Sequence, residues 1–348
     1  MLGSLRGRTR VRQWHDFSPN PNILDLERGL SLLRKNRPDA IVAVGGGSTL
    51  DMAKLLCAFE DLTSGEVEEH VRAGRRIGHR RMGLVSVPTT AGSGAEATSF
   101  AVLYVDDEKF SVEGQTLLPD AIVIDPALGE NASAHQRSSS GMDAIAQSIE
   151  SLWAVGACCE SRNLATRALR LLLPSIEEYV LTPNAHASRA MAVGSHLAGR
   201  AINLSKTTGA HALSYGMTTR YGVSHGHAVA LTLGAFMDAH ARANRSDLRP
   251  GVRWPVLQHA LNDIADLLGA PGPLEAGERF VRLGLRLGLP MSLRQVGVES
   301  TVEVRELTTT VNPDRFRNNP IGFSSDELFM LLLSCHRDRY YSCASVSP

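Results

Sequence analysis

Nothing in the 348-residue sequence approaches the roughly 18 consecutive apolar residues that a membrane-spanning helix requires. Neither is there an excess of charge, since Lys+Arg and Asp+Glu number 36 each. The first absence argues against a membrane protein, the second against a field that would draw nucleic acid or an anionic surface. Cysteine is scarce: five residues, at 57, 158, 159, 335 and 343, show no CxxC spacing. Adjacent Cys158 and Cys159 cannot easily bridge each other, so the chain reads as a protein of the reducing cytoplasm with structural thiols. A reactive thiol at that pair is the alternative. Repeats and low-complexity linkers are also missing. The arginine-rich start, MLGSLRGRTRVRQW, lacks the apolar stretch of a signal peptide. It reads as an exposed or misassigned start, with a transit peptide or a nucleic-acid arm as the other readings. Lysine is nearly absent: four residues, Lys35, Lys54, Lys109 and Lys206, stand against 32 arginines. A lysine kept in such a composition is a candidate for a needed point charge, and Lys206 lies five residues before His211.

The length allows two domains, each with its own core. Residues 23–37 carry helical apolar spacing (Ile23, Leu26, Leu30, Leu33), and Pro38 ends them. AIVAVGGG (40–47) predicts a buried strand running into a glycine turn. STLDMAKLLCAFED then predicts a helix with Ser48 as N-cap and Asp51 at N3. MGLVSVPTTAGSG (82–94) predicts a second strand and turn, FAVLYVDD with KFSVEG a hairpin, and AIVIDP (121–126) another buried strand. Strand–helix alternation with ligand loops at strand C-terminal ends indicates an open, mostly parallel sheet. Long amphipathic helical patterns take over near 127–135. The expected division is an α/β nucleotide-binding domain over 1–130 and an all-helical metal- and substrate-binding domain over 131–348.

GGGSTLDMAK (45–54) follows a strand and opens a helix, so backbone can approach a pyrophosphate at a positive dipole end. It is not the GxGxxG of ordinary dinucleotide folds, and a bare glycine turn remains the other reading. PTTAGSGAE (88–96) offers Thr89, Thr90 and Ser93 to phosphate or ribose oxygens, or is an ordinary loop. Two such turns at strand ends favour one nucleotide lying across the sheet edge. Asp143 and Gln147, four apart in SGMDAIAQSIESLW, share one helix face. His211 and His225 are fourteen apart, close to four turns, with Gly216 and Gly222 allowing a bend between them. One carboxylate and two imidazoles suit a divalent first-row metal, Fe²⁺ or Zn²⁺, with open positions for water and substrate. His227 is the alternative second histidine. Tyr215, one turn after His211, is a proton donor or pocket-lining residue, or else plain core.

Together these motifs resemble the iron-containing (group III) alcohol dehydrogenase family, over the chain from about residue 15 to its end. The family's glycine motif matches GGGSTLDMAK, its threonine turn PTTAGSGAE, its metal helix GMDAIAQSIE, and its paired histidines His211 and His225. The resemblance implies the dehydroquinate synthase-like fold of that family. It also implies a cofactor site of Gly46, Gly47, Ser48, Asp51, Thr89, Thr90, Ser93 and Lys109, taking NADH or alternatively NADPH. Asp143, His211 and His225 would be metal ligands, with Gln147 where the family carries a ligand histidine. Tyr215 stands where many members have a further histidine. The family's first strand and helix, which discriminate NAD from NADP, are expected to be missing ahead of this start. Several stretches, among them INLSKTTGAHALSYGMTTRYGVSHGH and DRFRNNP, resemble phosphonoacetaldehyde reductases. That narrower match implies a small phosphonate aldehyde as partner; with no nucleic acid and no membrane expected from the composition, a homodimer is left open. Lys206 would be a catalytic and phosphonate-binding cation, with Arg162 and Arg220 as weaker candidates. The rivals are another aldehyde or ketone reductase, a lyase of dehydroquinate synthase type, and an inactive remnant.

Overall fold

The computed structural model describes residues 9–106 and 108–336, so the first eight residues of the arginine-rich start and Cys343 lie outside the described residues. Helix α1 (Ile23–Asn36) opens where the Asn22 side chain accepts the Asp25 N–H, and left-handed Arg37 closes it before Pro38. Strand β1 (Ala40–Gly45) runs directly into α2 (Gly47–Ala58). Here the structure corrects the expected cap. The N-cap position is Gly46, and no side chain caps the helix. The Ser48 hydroxyl instead accepts the Asn20 N–H at 3.1 Å, and Asp51 accepts the Val102 N–H at 3.1 Å. The start of α2 thus offers main-chain donors and its dipole to a ligand without competition from a capping side chain.

After α3 (Ser64–Arg72) come β2 (Gly83–Pro88), the antiparallel pair β3 (Phe100–Val105) and β4 (Glu108–Glu113), and the short β5 (Ala121–Ile122). β1, β2 and β5 form one parallel sheet in that order. Gly45 pairs with Pro88, so both ligand turns leave adjacent strands at the same level. Successive strand residues face opposite sides. On one side, Ala43 and Leu84 pack with Leu50, Ala53 and Cys57 of α2. On the other, Val42, Val44 and Val123 are 46%, 43% and 50% exposed. The strands are therefore not buried throughout as expected: on the outer face Val87 is covered, but Val42, Val44 and Val123 are left open. AIVIDP is strand only at exposed Ala121–Ile122.

The rest is helical: α4 (Ala134–Trp153), α5 (Cys159–Leu181), α6 (Ala185–Ser205), α7 (Gly209–Tyr221), α8 (His225–Arg242), α9 (Trp254–Leu268), α10 (Pro273–Arg286), α11 (Thr301–Thr308), α12 (Pro313–Arg317) and α13 (Ser325–His336). Helix α4 is the central post, buried at nearly every position from Arg137 to Trp153. Met142, Ile145, Ile149 and Leu152 lie in the helical core, each contributing roughly 1.5–3 kcal/mol by burial. Side chains on this helix are accordingly held on a rigid support. Cys57 and Cys335 are buried, whereas Cys158 and Cys159 are exposed. Among the described residues, no helix is long and apolar enough to cross a membrane.

Candidate active site

A cleft of about 650 Å³ opens between the sheet's turns and the helices, lined by Gly46, Gly47, Ser48, Asp51, Thr90 and Ser93 on one side and Asp143, Gln147, His211, Tyr215 and His225 on the other. That size suits a cofactor or ligand site. The two turns touch across it: a Cβ added to Gly47 would lie 2.7 Å from Ser93 Oγ. Thr89 faces a smaller neighbouring cavity beside Gly129 and Tyr179. Lys54, fully buried, donates to Thr98 Oγ1 at 2.8 Å and to the Phe100 carbonyl at 2.9 Å, tying α2 to the hairpin.

The donor atoms of Asp143, His211 and His225 lie within 4.8 Å of one another. The two histidines are not on one long helix. Gly222, at φ +66°, ends α7, and α8 restarts at His225, so the chain turns back and sets the rings 5.5 Å apart. Gly226 lets α8 press onto α4, since a Cβ there would meet the Ser139 carbonyl at 2.1 Å and Asp143 Cβ at 2.7 Å. His227 points elsewhere, its Nε2 lying 2.6 Å from the Pro290 carbonyl.

Three buried atoms in this cluster have no hydrogen-bond partner: Asp143 Oδ1, His211 Nε2 and Gln147 Oε1. Asp143 Oδ1 and His211 Nε2 face each other at 3.3 Å. Unsatisfied buried acceptors are costly, and a divalent cation among them removes the cost, so this donor set fits a metal. Gln147 Nε2 donates to Asp143 Oδ2 at 3.2 Å and to the Ser93 carbonyl at 3.3 Å, joining the metal side to the threonine turn. Burial, reinforced by the Lys109 charge, pushes His225 down to about 3, the neutral form a ligand requires. Burial also opposes charge on His211, but the Glu150 and Asp143 carboxylates outweigh it and raise that group to about 10. A metal ion competes with that proton for Nε2.

Beside the metal-binding cluster, where the Tyr215 ring lies 6.5 Å from that of His225, cations gather around aromatic rings. Lys109 Nζ sits 3.7 Å from the Tyr215 ring centre, Lys206 Nζ 4.4 Å and Arg315 Cζ 5.2 Å from that of Phe100. Burial would raise the Tyr215 hydroxyl, but Lys109 and Arg315 outweigh it and the group is lowered. Burial also lowers the Lys109 ammonium. Lys206 is ion-paired to Glu113 at 3.4 Å, behind the cleft wall to which Phe100, Thr207 and Arg315 belong. Arg162 and Arg220 are not brought to the cleft. Arg162 donates to the Leu152 carbonyl at 3.1 Å, and Arg220 faces Glu306 at 3.4 Å in solvent.

Two residues escaped the sequence reading. Arg315 lies within the stretch DRFRNNP but was not singled out from the 32 arginines. Glu150, fully buried against His211, continues the i, i+4 spacing of Asp143 and Gln147 to i+7, a signal that could have found it.

Comparison with known proteins accords with these features. The model for the iron-containing alcohol dehydrogenase matches residues 2–126, and that for the C-terminal part of the Fe-containing alcohol dehydrogenase family matches 138–335. A phosphonoacetaldehyde reductase of Streptomyces viridochromogenes is 36% identical over 265 residues, 74% of this chain and 67% of that protein. An aldehyde-alcohol dehydrogenase of Streptococcus pneumoniae is 26% identical over 82% of this chain but only 34% of its own length. The crystal structure of a sulfoacetaldehyde reductase from Bifidobacterium kashiwanohense, in complex with NAD⁺, matches with a TM-score of 0.80 at 25% identity, over 93% of this chain and 83% of that one. With both family models matched in chain order over most of its length, the chain belongs to the iron-containing alcohol dehydrogenase family and is an oxidoreductase.

Proposed function

We propose that the protein reduces phosphonoacetaldehyde to 2-hydroxyethylphosphonate with NADH, by metal-assisted hydride transfer in phosphonate natural-product biosynthesis. The observation that carries this reading is the cluster of Lys109, Lys206 and Arg315 around Phe100 and Tyr215 beside the metal-binding triad. A doubly charged phosphonate needs such partners, and a neutral aldehyde gains nothing from them. The similarity to a phosphonoacetaldehyde reductase supports the same choice.

Asp143, His211 and His225, with Gln147 alongside, would hold Fe²⁺ or Zn²⁺, which when bound supplies Lewis acidity to a carbonyl. NADH supplies the hydride. The uncapped start of α2 and the hydroxyls of Thr90 and Ser93 bind its phosphate and ribose oxygens. Arg315 and Lys109 hold the phosphonate, with Lys206 adding charge from behind Phe100. The Tyr215 hydroxyl, made more acidic by its two cationic neighbours, gives a proton to the product oxygen. Aldehyde, hydride and proton then balance to the alcohol.

NADH and NADPH oxidation with phosphonoacetaldehyde, sulfoacetaldehyde and acetaldehyde, with the product followed by phosphorus NMR, tests the proposal. Stoichiometric NADH loss with preference for phosphonoacetaldehyde is expected. Equal kcat/KM for acetaldehyde would overturn the substrate assignment. Turnover without net NADH oxidation would point to a lyase.

A further inference from the structure

Helix α7 begins with an acceptor that comes from another helix. Both carboxylate oxygens of Glu150, on α4, are engaged in the fully buried space below the metal-binding cluster. Oε2 accepts the Thr208 N–H at 3.1 Å, and Oε1 accepts the Thr208 hydroxyl at 2.8 Å, the Ala210 N–H at 3.0 Å and the His211 N–H at 3.4 Å. Oε2 also lies 2.5 Å from His211 Nδ1. The Thr208 hydroxyl in turn accepts the Trp153 indole N–H at 3.0 Å, which fixes the threonine. One carboxylate thus caps the first turn of α7 and grips the histidine that this turn carries.

This arrangement determines the tautomer. A carboxylate is an acceptor, so Nδ1 keeps its hydrogen whatever the charge on the ring, and Nε2 is the nitrogen left for a metal to take in place of a proton. Nε2 is the atom that faces Asp143 Oδ1 at 3.3 Å and has no hydrogen-bond partner. The charges add up as well. Asp143 is the only anion among the four cluster side chains, since Gln147 and two neutral histidines contribute none. A second negative charge, one imidazole away, brings the buried total to the two that a divalent ion neutralises.

We propose that Glu150 is a positioning residue for the metal: it locks His211 with Nε2 free, orients the ring by capping α7, and supplies the second buried negative charge. The inference rests on the metal reading given above and goes beyond it, because a plain helix cap would leave metal affinity unchanged once the helix is formed.

Zn²⁺ affinity, measured by competition with a chromophoric chelator, separates the roles in four full-length proteins. Wild type should bind and Asp143→Asn should not; if wild type fails to bind, the metal reading itself falls. Glu150→Gln keeps the shape and loses the charge, and should bind Zn²⁺ about tenfold to a hundredfold more weakly. Thr208→Val removes a cap donor without touching Nδ1, and should stay within about twofold of wild type, because the bond it loses reaches Glu150 and not the His211 ring. Equal affinity of Glu150→Gln and wild type, or equal losses in Glu150→Gln and Thr208→Val, would overturn the proposal. Should Glu150→Gln not fold, long-range ¹H–¹⁵N histidine spectra of the Zn²⁺-loaded wild type decide. His211, assigned by its loss in His211→Gln, should show a proton on Nδ1 protected from exchange. A proton on Nε2 would overturn the proposal.

Discussion

Around the turns at 45–49 and 89–94, the groups presented to the cleft are main-chain amides and short hydroxyls at the ends of paired strands. Across from them, Asp143, Gln147, His211 and His225 reach in on α4, α7 and α8. The first surface is half-open and shaped by backbone; the second is buried, with Asp143, Gln147 and His211 each less than 5% exposed. A backbone-made site depends on space, because a new Cβ blocks it and most hydroxyl changes only trim it. A side-chain site depends on what holds each side chain, and here every member has a second partner. Glu150 holds His211, Ser214 Oγ lies 3.3 Å from His225 Nδ1, and Gln147 holds Asp143. Gln147 also reaches the Ser93 carbonyl, so the two surfaces meet at one amide.

The comparison can be broken most forcefully at Asp143. Asp143→Asn should abolish metal binding and lower kcat on the order of 10³-fold, while NADH affinity by fluorescence stays near wild type. Loss of NADH binding in that variant would show that the surfaces are not separable. Gly226→Ala is a subtler insult to the helical side. Its Cβ collides with the Ser139 carbonyl, so a loss of about 1–3 kcal/mol in urea melts is expected, together with lowered metal content. At the cationic end, Arg315→Ala should raise KM for phosphonoacetaldehyde on the order of tenfold to a hundredfold and leave acetaldehyde unchanged. Lys206→Ala should do the same by only about threefold, because its ammonium already faces Glu113 and is partly solvated. A larger effect at Lys206 than at Arg315 would reverse the order of the two cations.

Much of this was legible along the chain, where the cause is local. The glycine turns, the 3.6-residue rhythm of α4 and the hairpin at 100–113 follow from nearest-neighbour chemistry. What escaped depends on residues far apart. Ser48 resembles an N-cap until the Asn20 amide takes its hydroxyl. Val42 and Val44 look like the interior of a parallel sheet, yet on their face only part of the sheet is covered. Lys206 stood out by composition, but its partner Glu113 is 93 residues away, and Arg315, within the stretch DRFRNNP, gains its place at the cleft only where α12 meets the hairpin. His211 and His225 are brought together by a reversal at Gly222, one of the two glycines expected to allow a bend between them, rather than by four turns of one helix.

Single-turnover mixing tests the account most directly: protein preloaded with NADH is mixed with phosphonoacetaldehyde, once with Zn²⁺ or Fe²⁺ restored and once after chelation. The account predicts equal NADH fluorescence before mixing and NADH oxidation only in the metal-loaded sample. Oxidation at the same rate in the chelated protein, or loss of NADH binding along with the metal, would contradict it.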